Sequence, residues 1–426
     1  MLDLRCNPPP SKQPEARLDK PRLLTSVPVL AVCTLLAFVP PLQRASAQAQ
    51  RIVVVKKKPA RKAAGAEEEK KKDARERAAF SVEDENAAVI PGIADARVWG
   101  DAEAEFARLL PQASGPWLVI SGGGSDGAYG GGVLAGWTQT GARPEFAVVT
   151  GASIGALIAP FAFLGSRYDD EIRKSFTTMT AAEIFEDRAT EDSLFDHWPL
   201  KRQVEQRVDA KLLAEIAAEH ARGRRLFVAT TNLDAGRRVI WNMGAIAARD
   251  DEKGLKLFRE VLLASCSIPG FFSPIGIEVE ANGKRFQEMH GDGTLTAPFF
   301  VVPESMLSAG ATRPPLGQVY VIVNSKLDPE FKMPERNIPG VLGRSIGVAL
   351  TSALRTEVAL LSVGAKRHGI GLHVARVDPA FNYPSRGPFD GKYMQALYEF
   401  GVGAGKKGTA FEDVLPDVSL RRSTAQ

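Results

Sequence analysis

The chain has 426 residues, of which 44% are hydrophobic and 24% charged, and its formal net charge is +4. This composition is ordinary for a globular protein, and the length is sufficient to bury a sizeable core. Six of the 54 Lys and Arg residues and three of the 50 acidic residues lie in residues 1–47, so the rest carries 48 and 47. That near balance excludes a charge-based case for a nucleic-acid partner, and none is predicted.

The N-terminal segment has the order of regions that is typical of a secretory signal peptide. A mildly basic stretch ends in Lys20-Pro21-Arg22, residues 23–42 are uncharged and mostly apolar, and Ala45-Ser46-Ala47 follows. This order predicts a signal peptide over residues 1–47, and hence export to the periplasm or the exterior. A retained anchor is the alternative, because the apolar stretch is about long enough to span a bilayer.

Residues 48–87 form a charged segment of low complexity, with runs of Lys and of Glu and very few aromatic residues. Such a composition cannot bury a core, so the segment is predicted to be a solvated helix or a tether. Its basic half is a candidate for peripheral contact with anionic lipid headgroups. A folded domain is predicted over residues 88–415, followed by a tail over residues 416–426.

The folded part alternates short apolar runs, typical of buried strands, with longer Ala-rich or amphipathic runs, typical of helices. The predicted strands cover residues 117–121, 145–150, 226–230, 239–243, 318–324 and 372–377. The predicted helices cover residues 102–110, 154–164, 210–221, 255–264 and 346–363. This alternation predicts an α/β fold with a mostly parallel central sheet that is covered by helices on both faces.

The motif Gly151-x-Ser153-x-Gly155 lies at the junction of a predicted strand and a predicted helix. This is the setting of a nucleophile elbow, in which the sharp turn exposes a serine hydroxyl and the glycines allow close backbone approach. The helix N-terminus would also favour a nearby oxyanion. A serine in an ordinary glycine-rich turn is the alternative interpretation.

Residues 122–127, Gly-Gly-Gly-Ser-Asp-Gly, follow the first predicted strand. They match the dinucleotide-binding pattern G-x-G-x-x-G, which also requires an acidic residue at the end of the next strand. Glu145 precedes that strand instead, and the strand runs into Ser153. The preferred interpretation is therefore an anion hole made of backbone N–H groups.

A third motif places a carboxylate between glycines, in His290-Gly291-Asp292-Gly293-Thr294. A turn-forming Asp is the alternative at this position. Residues 166–200 are rich in large apolar side chains, which could either cap a lipid site or pack in the core: Phe176, Met179, Phe185, Phe195 and Trp198.

Taken in order, four stretches resemble the bacterial patatin-like phospholipases, and the resemblance extends from about Ala88 to Phe411. They are residues 118–127, LVISGGGSDG; residues 151–155, GASIG; residues 264–274, ASCSIPGFFSP; and residues 292–294, DGT. Each stretch is a weak signal alone, whereas the ordered set is highly specific.

The resemblance implies a three-layer α/β/α fold and a lipid acyl hydrolase of phospholipase A type. It implies a catalytic dyad in which Ser153 is the nucleophile and Asp292 accepts its proton, with Gly293 and Thr294 completing the acid motif. It also implies an oxyanion loop formed by Gly122, Gly123, Gly124 and Gly127, with Gly151 and Gly155 shaping the elbow. The substrates are expected to be phospholipids or other acyl-ester lipids, with no metal or cofactor.

The chain departs from the family pattern at two positions. Asp126 stands where many members carry Arg, and Thr294 stands where many carry Gly or Ala. The first departure keeps open a non-catalytic lipid-binding module. A Ser–His–Asp esterase of α/β-hydrolase type is the other alternative, for which the candidate histidines are His290, His368 and His373.

Overall fold

The computed structural model describes residues 77–311 and 314–413. Its strands are β1 Arg97–Trp99, β2 Trp117–Ile120, β3 Val148–Ala152, β4 Arg225–Asn232, β5 Arg237–Asn242, β6 Ile275–Ala281, β7 Lys284–Asp292, β8 Gln318–Val323, β9 Gly371–Arg376 and β10 Phe411–Glu412. Its helices are α1 Val82–Asn86, α2 Glu103–Arg108, α3 Gly127–Gln139, α4 Ile154–Leu164, α5 Asp169–Thr177, α6 Trp198–Arg207, α7 Ala210–Ala221, α8 Met243–Ala247, α9 Glu252–Ser265, α10 Ile338–His368 and α11 Gly391–Lys407.

The strands form one sheet in the order β1-β5-β4-β3-β2-β8-β9-β10, and the hairpin β6–β7 joins it through β7 and β4. The five central strands, from β4 to β9, pair in parallel. The outer strands and the β6–β7 hairpin pair antiparallel. Strand order reverses at β2, and the loops at the carboxyl ends of strands beside such a point are where open α/β sheets bind ligands.

Two hydrophobic cores lie on opposite faces of the sheet, because successive strand side chains point in opposite directions. In β2, Leu118 and Ile120 join one core, which also includes α3, α4, α7, α9 and α11. Trp117 and Val119 join the other core, which includes Phe106 of α2 and the C-terminal half of α10. This arrangement confirms the predicted three-layer α/β/α fold.

Local sequence patterns placed several elements accurately. Helices α4 and α7 have the predicted bounds, and α7 begins where the side chain of Asp209 accepts the N–H of Leu212. The patterns gave no sign of β1, β6, β7 or β10, and so the antiparallel edges of the sheet were not predicted.

Part of the segment predicted to be a solvated linker or tether, residues 48–87, is packed on the domain. Arg77 pairs with Asp234 at 2.7 Å, and the ring of Phe80 stacks on Phe286 with their centroids 4.4 Å apart. Folded structure therefore extends N-terminal to the predicted domain start. The predicted signal peptide, residues 48–76 and the predicted tail over residues 416–426 lie outside the described residues.

Helix α3 packs backbone against backbone on α11, and glycines make this close approach possible. A methyl group on Gly132 would lie 2.1 Å from the carbonyl oxygen of Tyr398, and one on Gly136 would lie 2.3 Å from that of Val402. Because α3 begins at Gly127, directly after the glycine-rich loop, this packing fixes the start of the helix that carries the loop.

We expect Gly132→Ala to lower the free energy of unfolding by about 1–3 kcal/mol, because the added methyl group forces the two helix backbones apart. Gly403→Ala in α11 is the matched control. No heavy atom lies within 4 Å of its added methyl group, so it should stabilise the helix by about 0.5–1 kcal/mol. Urea unfolding of both variants measures the difference, and equal effects would contradict the close-packing explanation.

Candidate active site

Ser153 lies on a sharp turn between β3 and α4, with a backbone φ of 53° that non-glycine residues rarely adopt. The flanking glycines make the turn possible. A methyl group on Gly151 would lie 2.4 Å from the carbonyl oxygen of Gly155, and one on Gly155 would lie 2.3 Å from that of Ile120. Because neither position has room for a side chain, the turn has the geometry of a nucleophile elbow.

The backbone of this turn is held by Ser265 at the end of α9. Its Oγ accepts the N–H of Ser153 at 2.9 Å and donates to the carbonyl oxygen of Ala229 at 2.7 Å. Ser265 is fully buried. This hydroxyl therefore satisfies the amide of a strained residue and links the elbow to β4.

Asp292 lies at the end of β7, and its carboxylate meets the hydroxyl of Ser153. Ser153 Oγ donates to Asp292 Oδ2 at 2.8 Å. Asp292 Oδ1 accepts the backbone N–H of Thr294 at 2.8 Å and the Thr294 hydroxyl at 2.6 Å. Oδ2 is therefore directed at the serine, because both donors from Thr294 engage the other oxygen.

The carboxyl group of Asp292 is completely buried. Burial raises its pKa to about 6, although the hydrogen bonds from Thr294 and Ser153 favour the ionised form. A carboxylate with such a pKa is a stronger base than an exposed Asp and is still ionised at neutral pH. Residue 294 thus contributes directly to the charge state of Asp292.

Within the glycine-rich loop, Gly122 lies against the side chains of Ser153 and Thr294. A methyl group on Gly122 would lie 3.2 Å from Ser153 Cβ and 2.3 Å from Thr294 Cγ2. The N–H of Gly122 donates to the carbonyl oxygen of Pro298 at 3.1 Å. Gly122 therefore allows the loop to approach the serine, while its own N–H is already occupied.

The remaining glycines of the predicted oxyanion loop differ in their hydrogen bonds. The N–H of Gly127 donates to the carbonyl oxygen of Gly124. Among residues 77–311 and 314–413, no acceptor bonds to the N–H groups of Gly123 and Gly124. Gly123 is exposed, and its φ of 155° is accessible to glycine. The structure thus leaves two loop amides, at Gly123 and Gly124, available to a developing anion.

Two sets of hydrogen bonds fix the ends of this loop. At its start, Asn324 donates its Nδ2 to the carbonyl oxygen of Ser121 at 2.9 Å and accepts the N–H of Gly130 at 3.1 Å. At its end, Asp126 accepts the hydroxyl of Tyr393 at 2.8 Å. Burial raises the pKa of Asp126 to about 6, although the Tyr393 hydrogen bond lowers it. Asp126 therefore anchors the loop to α11.

No histidine bonds to Ser153 or Asp292, and all five histidines of the chain lie in the described residues. His290, the nearest candidate in sequence, is fully buried and bonds to Thr230 and Glu288. The other four histidines also bond to neither Ser153 nor Asp292; they are His197, His220, His368 and His373. In the described part of the chain, no group of three or more His, Cys, Asp or Glu side chains could hold a metal ion.

A largely apolar cavity of about 60 Å³ lies along α4, which begins directly after Ser153. It is lined by Ile154, Leu157, Ile158, Phe161, Ile172, Ser175, Phe176, Met179, Ile184, Leu200, Gln203, Val204, Arg207, Val208, Leu262, Phe389 and Met394. Two of the large apolar residues of the 166–200 segment, Phe176 and Met179, belong to this lining. The cavity is smaller than a long acyl chain, so entry of such a chain requires lining side chains to move.

The Gly122 loop, Ser153 and Asp292 all lie in one segment that has recognisable relatives. Residues 118–302 match the family model Patatin-like phospholipase. This segment of the chain is therefore similar to the patatin-like phospholipases. Among solved structures it is similar to VipD from Legionella pneumophila, with 10% identity over 70% of this chain and 67% of that chain, at a TM-score of 0.34. No curated protein matches the chain.

Sequence reasoning named both dyad candidates, Ser153 and Asp292, but overlooked the residues that hold them. Ser265 lies within one of the four family-like stretches, so its place in the order could have drawn attention to it. Asn324 directly follows β8, and a polar residue at the carboxyl end of a buried strand is a usable signal. Tyr393 and Phe389, whose backbone N–H donates to Ser125 Oγ at 3.0 Å, carry no such signal, because only tertiary packing brings them to the loop.

We expect Asp292→Asn to raise the thermal stability of the protein at pH 8. Since the folded-state pKa of Asp292 is raised to about 6 from 3.8, its stabilising contribution is complete below 3.8 and is lost as the pH rises through 6. The amide avoids burying this charge, which costs up to roughly 3 kcal/mol. Melting temperatures of variant and wild type should differ by several degrees at pH 8 and converge near pH 4.

Glu288→Gln, on the same strand as Asp292, is the control, and its effect on stability at pH 8 should have the opposite sign. Burial raises the pKa of Glu288, but hydrogen bonds from His290 and Arg97 outweigh it and hold the pKa at about 2. This variant should lose stability at pH 8. If Glu288→Gln raised the stability, the hydrogen bonds from His290 and Arg97 would not be what lowers the pKa of Glu288. If the melting-temperature difference between Asp292→Asn and wild type did not depend on pH, burial of the Asp292 charge would not be its cause.

Proposed function

We propose that this protein is a phospholipase A-type lipid acyl hydrolase that uses Ser153 as nucleophile and Asp292 as the proton acceptor. The observation that carries the proposal is the 2.8 Å hydrogen bond from Ser153 Oγ to the buried Asp292 Oδ2, with no imidazole between them. Two further observations support it: the Gly123 and Gly124 amides, which follow Gly122 in the loop, bond to no acceptor among the described residues, and residues 118–302 match the patatin-like phospholipase model.

In the first half of the proposed reaction, Ser153 Oγ forms a bond to the ester carbonyl carbon while its proton moves to Asp292 Oδ2. The carbonyl oxygen becomes an oxyanion, which the N–H groups of Gly123 and Gly124 and the N-terminus of α4 stabilise. The ester C–O bond then breaks, and the proton on Asp292 passes to the departing alcohol. An acyl group remains on Ser153.

In the second half, a water molecule attacks the acyl carbon and Asp292 accepts the proton of that water. The bond to Ser153 Oγ breaks, the serine recovers its hydrogen from Asp292, and the fatty acid leaves. Thr294 keeps Asp292 Oδ2 directed at the serine in both halves, because its two donors occupy Oδ1.

The proposed substrates are phospholipids or related acyl-ester lipids. The apolar cavity along α4 supports this class, since it offers the acyl chain a lining of aliphatic and aromatic side chains next to the nucleophile. Export to the periplasm or the exterior is part of the proposal and rests on the sequence of residues 1–47, which lie outside the described residues.

A Ser–His–Asp esterase is the weaker alternative, because none of the five histidines, all of them in the described residues, bonds to Ser153 or Asp292. A non-catalytic lipid-binding module is also weaker. The carboxylate of Asp126, the residue that raised this alternative, bonds to Tyr393.

We expect Ser153→Ala and Asp292→Asn each to reduce hydrolysis at least about 1,000-fold, and the double variant to lose little more. The measurements are fatty-acid release from phosphatidylcholine vesicles and hydrolysis of p-nitrophenyl butyrate, a soluble ester. His373→Ala is the matched control and should keep full activity. Inactivity of the wild type, with no fluorophosphonate labelling of Ser153, would leave only the binding module.

We expect kcat/KM for the soluble ester to fall as the pH drops below about 6, because Asp292 must be ionised to accept the proton. Thr294→Ala should shift this inflection to higher pH, since it removes a hydrogen bond to the ionised carboxylate. Asp126 has a similar pKa, so Asp126→Asn is the control and should retain the inflection. If Asp126→Asn abolished the inflection, the titrating group would be Asp126 and not Asp292.

A further inference from the structure

Exposed hydrophobic side chains are concentrated around the start of α10. Of the twelve large hydrophobic residues that are exposed in the described part of the chain, seven lie between residues 331 and 363. Phe331, Met333 and Ile338 are 93%, 79% and 74% exposed, and Val341 and Val348 follow on the first turns of the helix. We call these five residues the 331–348 patch. Such a concentration marks an interaction surface.

Helix α10 is divided into a docked half and an uncovered half. Its C-terminal half is held in the domain by Leu354, Val358 and Leu361, which are buried in one of the two cores. No residue from 338 to 350 is buried. The helix is long and apolar enough to cross a membrane by length and composition, with 17% of its most apolar window buried. Because one half is fixed to the domain, the other half is positioned to lie along a surface.

A continuous run of apolar contacts leads from this patch towards the candidate active site. The side chain of Leu342 lies beside Gly270, and Phe271 lies beside Gly343. Residues 267–271, which include Gly270 and Phe271, also adjoin the dyad candidates, because the carbonyl oxygen of Ser267 accepts the N–H of Asp292 at 2.8 Å.

From Phe271 the run continues through aromatic rings. The centroid of Phe271 lies 6.0 Å from that of Phe195, which lies 5.0 Å from that of Phe185. Phe185 lies 6.4 Å from Phe389, and Phe389 lines the cavity along α4. An apolar chain entering at the patch would therefore meet apolar side chains as far as that cavity.

The charges around the patch favour an anionic surface. Lys332, Arg336 and Arg344 lie among its apolar residues, against a single acidic residue, Glu335, over residues 331–350. Basic side chains next to exposed apolar ones are the combination that binds the headgroup region of anionic bilayers. In a two-fold contact between copies, both surfaces would carry the same excess of positive charge, which disfavours self-association.

We propose that the 331–348 patch docks this protein on the surface of an anionic phospholipid bilayer, with the N-terminal half of α10 lying in the interface. The patch then brings the entrance of the apolar run to the lipids, so that an acyl chain need not cross water to reach Ser153. This inference rests on the proposed function for the identity of the substrate, but vesicle binding itself does not require catalysis.

The binding experiment uses the full chain carrying Ser153→Ala, so that the vesicles are not consumed. Sedimentation with vesicles of phosphatidylcholine and phosphatidylglycerol (3:1) measures the bound fraction. Adding Phe331→Glu and Ile338→Glu should lower the partition coefficient at least about tenfold, because charged side chains resist burial in the interface. The matched control is Val82→Glu with Val89→Glu, at two exposed valines outside the patch, which should bind like the parent.

A second arm uses the catalytically intact chain and separates docking from chemistry. Phe331→Glu with Ile338→Glu should hydrolyse p-nitrophenyl butyrate at the wild-type rate but release at least about tenfold less fatty acid from the same vesicles. Lys332→Glu with Arg336→Glu should lose the preference for phosphatidylglycerol-containing over pure phosphatidylcholine vesicles.

Three results would overturn the proposal. Unchanged vesicle binding by the patch variant would place docking elsewhere, for example on the basic segment N-terminal to the domain. No vesicle binding by a chain that hydrolyses the soluble ester would refute docking and leave the proposed function intact. A dimer that the patch substitutions dissociate, without vesicle binding, would make the patch a contact between copies. Vesicle binding without ester hydrolysis would support docking while refuting the proposed function.

Discussion

A serine hydroxyl donates to a fully buried carboxylate at the centre of this domain, and the surrounding structure maintains that one hydrogen bond. Burial raises the pKa of Asp292 to about 6, so the bond joins Ser153 to a group whose charge is costly in its surroundings. Such a contact persists only where packing fixes both partners. The elbow glycines fix one of them, and the two donors of Thr294 fix the other.

The sheet brings these two partners together from distant parts of the chain. Ser153 follows a central parallel strand, whereas Asp292 ends β7, which pairs antiparallel with β4. Ser265 bonds to the elbow and to β4, so the same strand supports both sides of the site. This polar cluster can be buried because almost all of its donors and acceptors have partners.

In the proposed function and docking, chemistry and substrate access lie on different parts of the molecule. The dyad and the loop amides are held rigidly by buried hydrogen bonds, while the first half of α10 exposes apolar side chains to solvent. Rigid positioning suits a transition state that tolerates little displacement. An exposed apolar helix suits an insoluble substrate, since it exchanges water for lipid at the point where an acyl chain would enter. The aromatic rings of Phe185 and Phe195 connect the two regions.

The sequence alone determined the layered α/β architecture, the bounds of α4 and α7, and both dyad candidates, because periodicity and turn chemistry are local properties. The hairpin strand β7 escaped detection because its buried residues include Glu288, His290 and Asp292, which only tertiary partners can satisfy. Helix α3 was not predicted, because its glycines lower helix propensity. Their role, which is to let α3 pack closely on α11, depends on the tertiary structure. Which loop amides remain free, and what Asp126 binds, depend on groups remote in sequence, so the tertiary structure alone decided them.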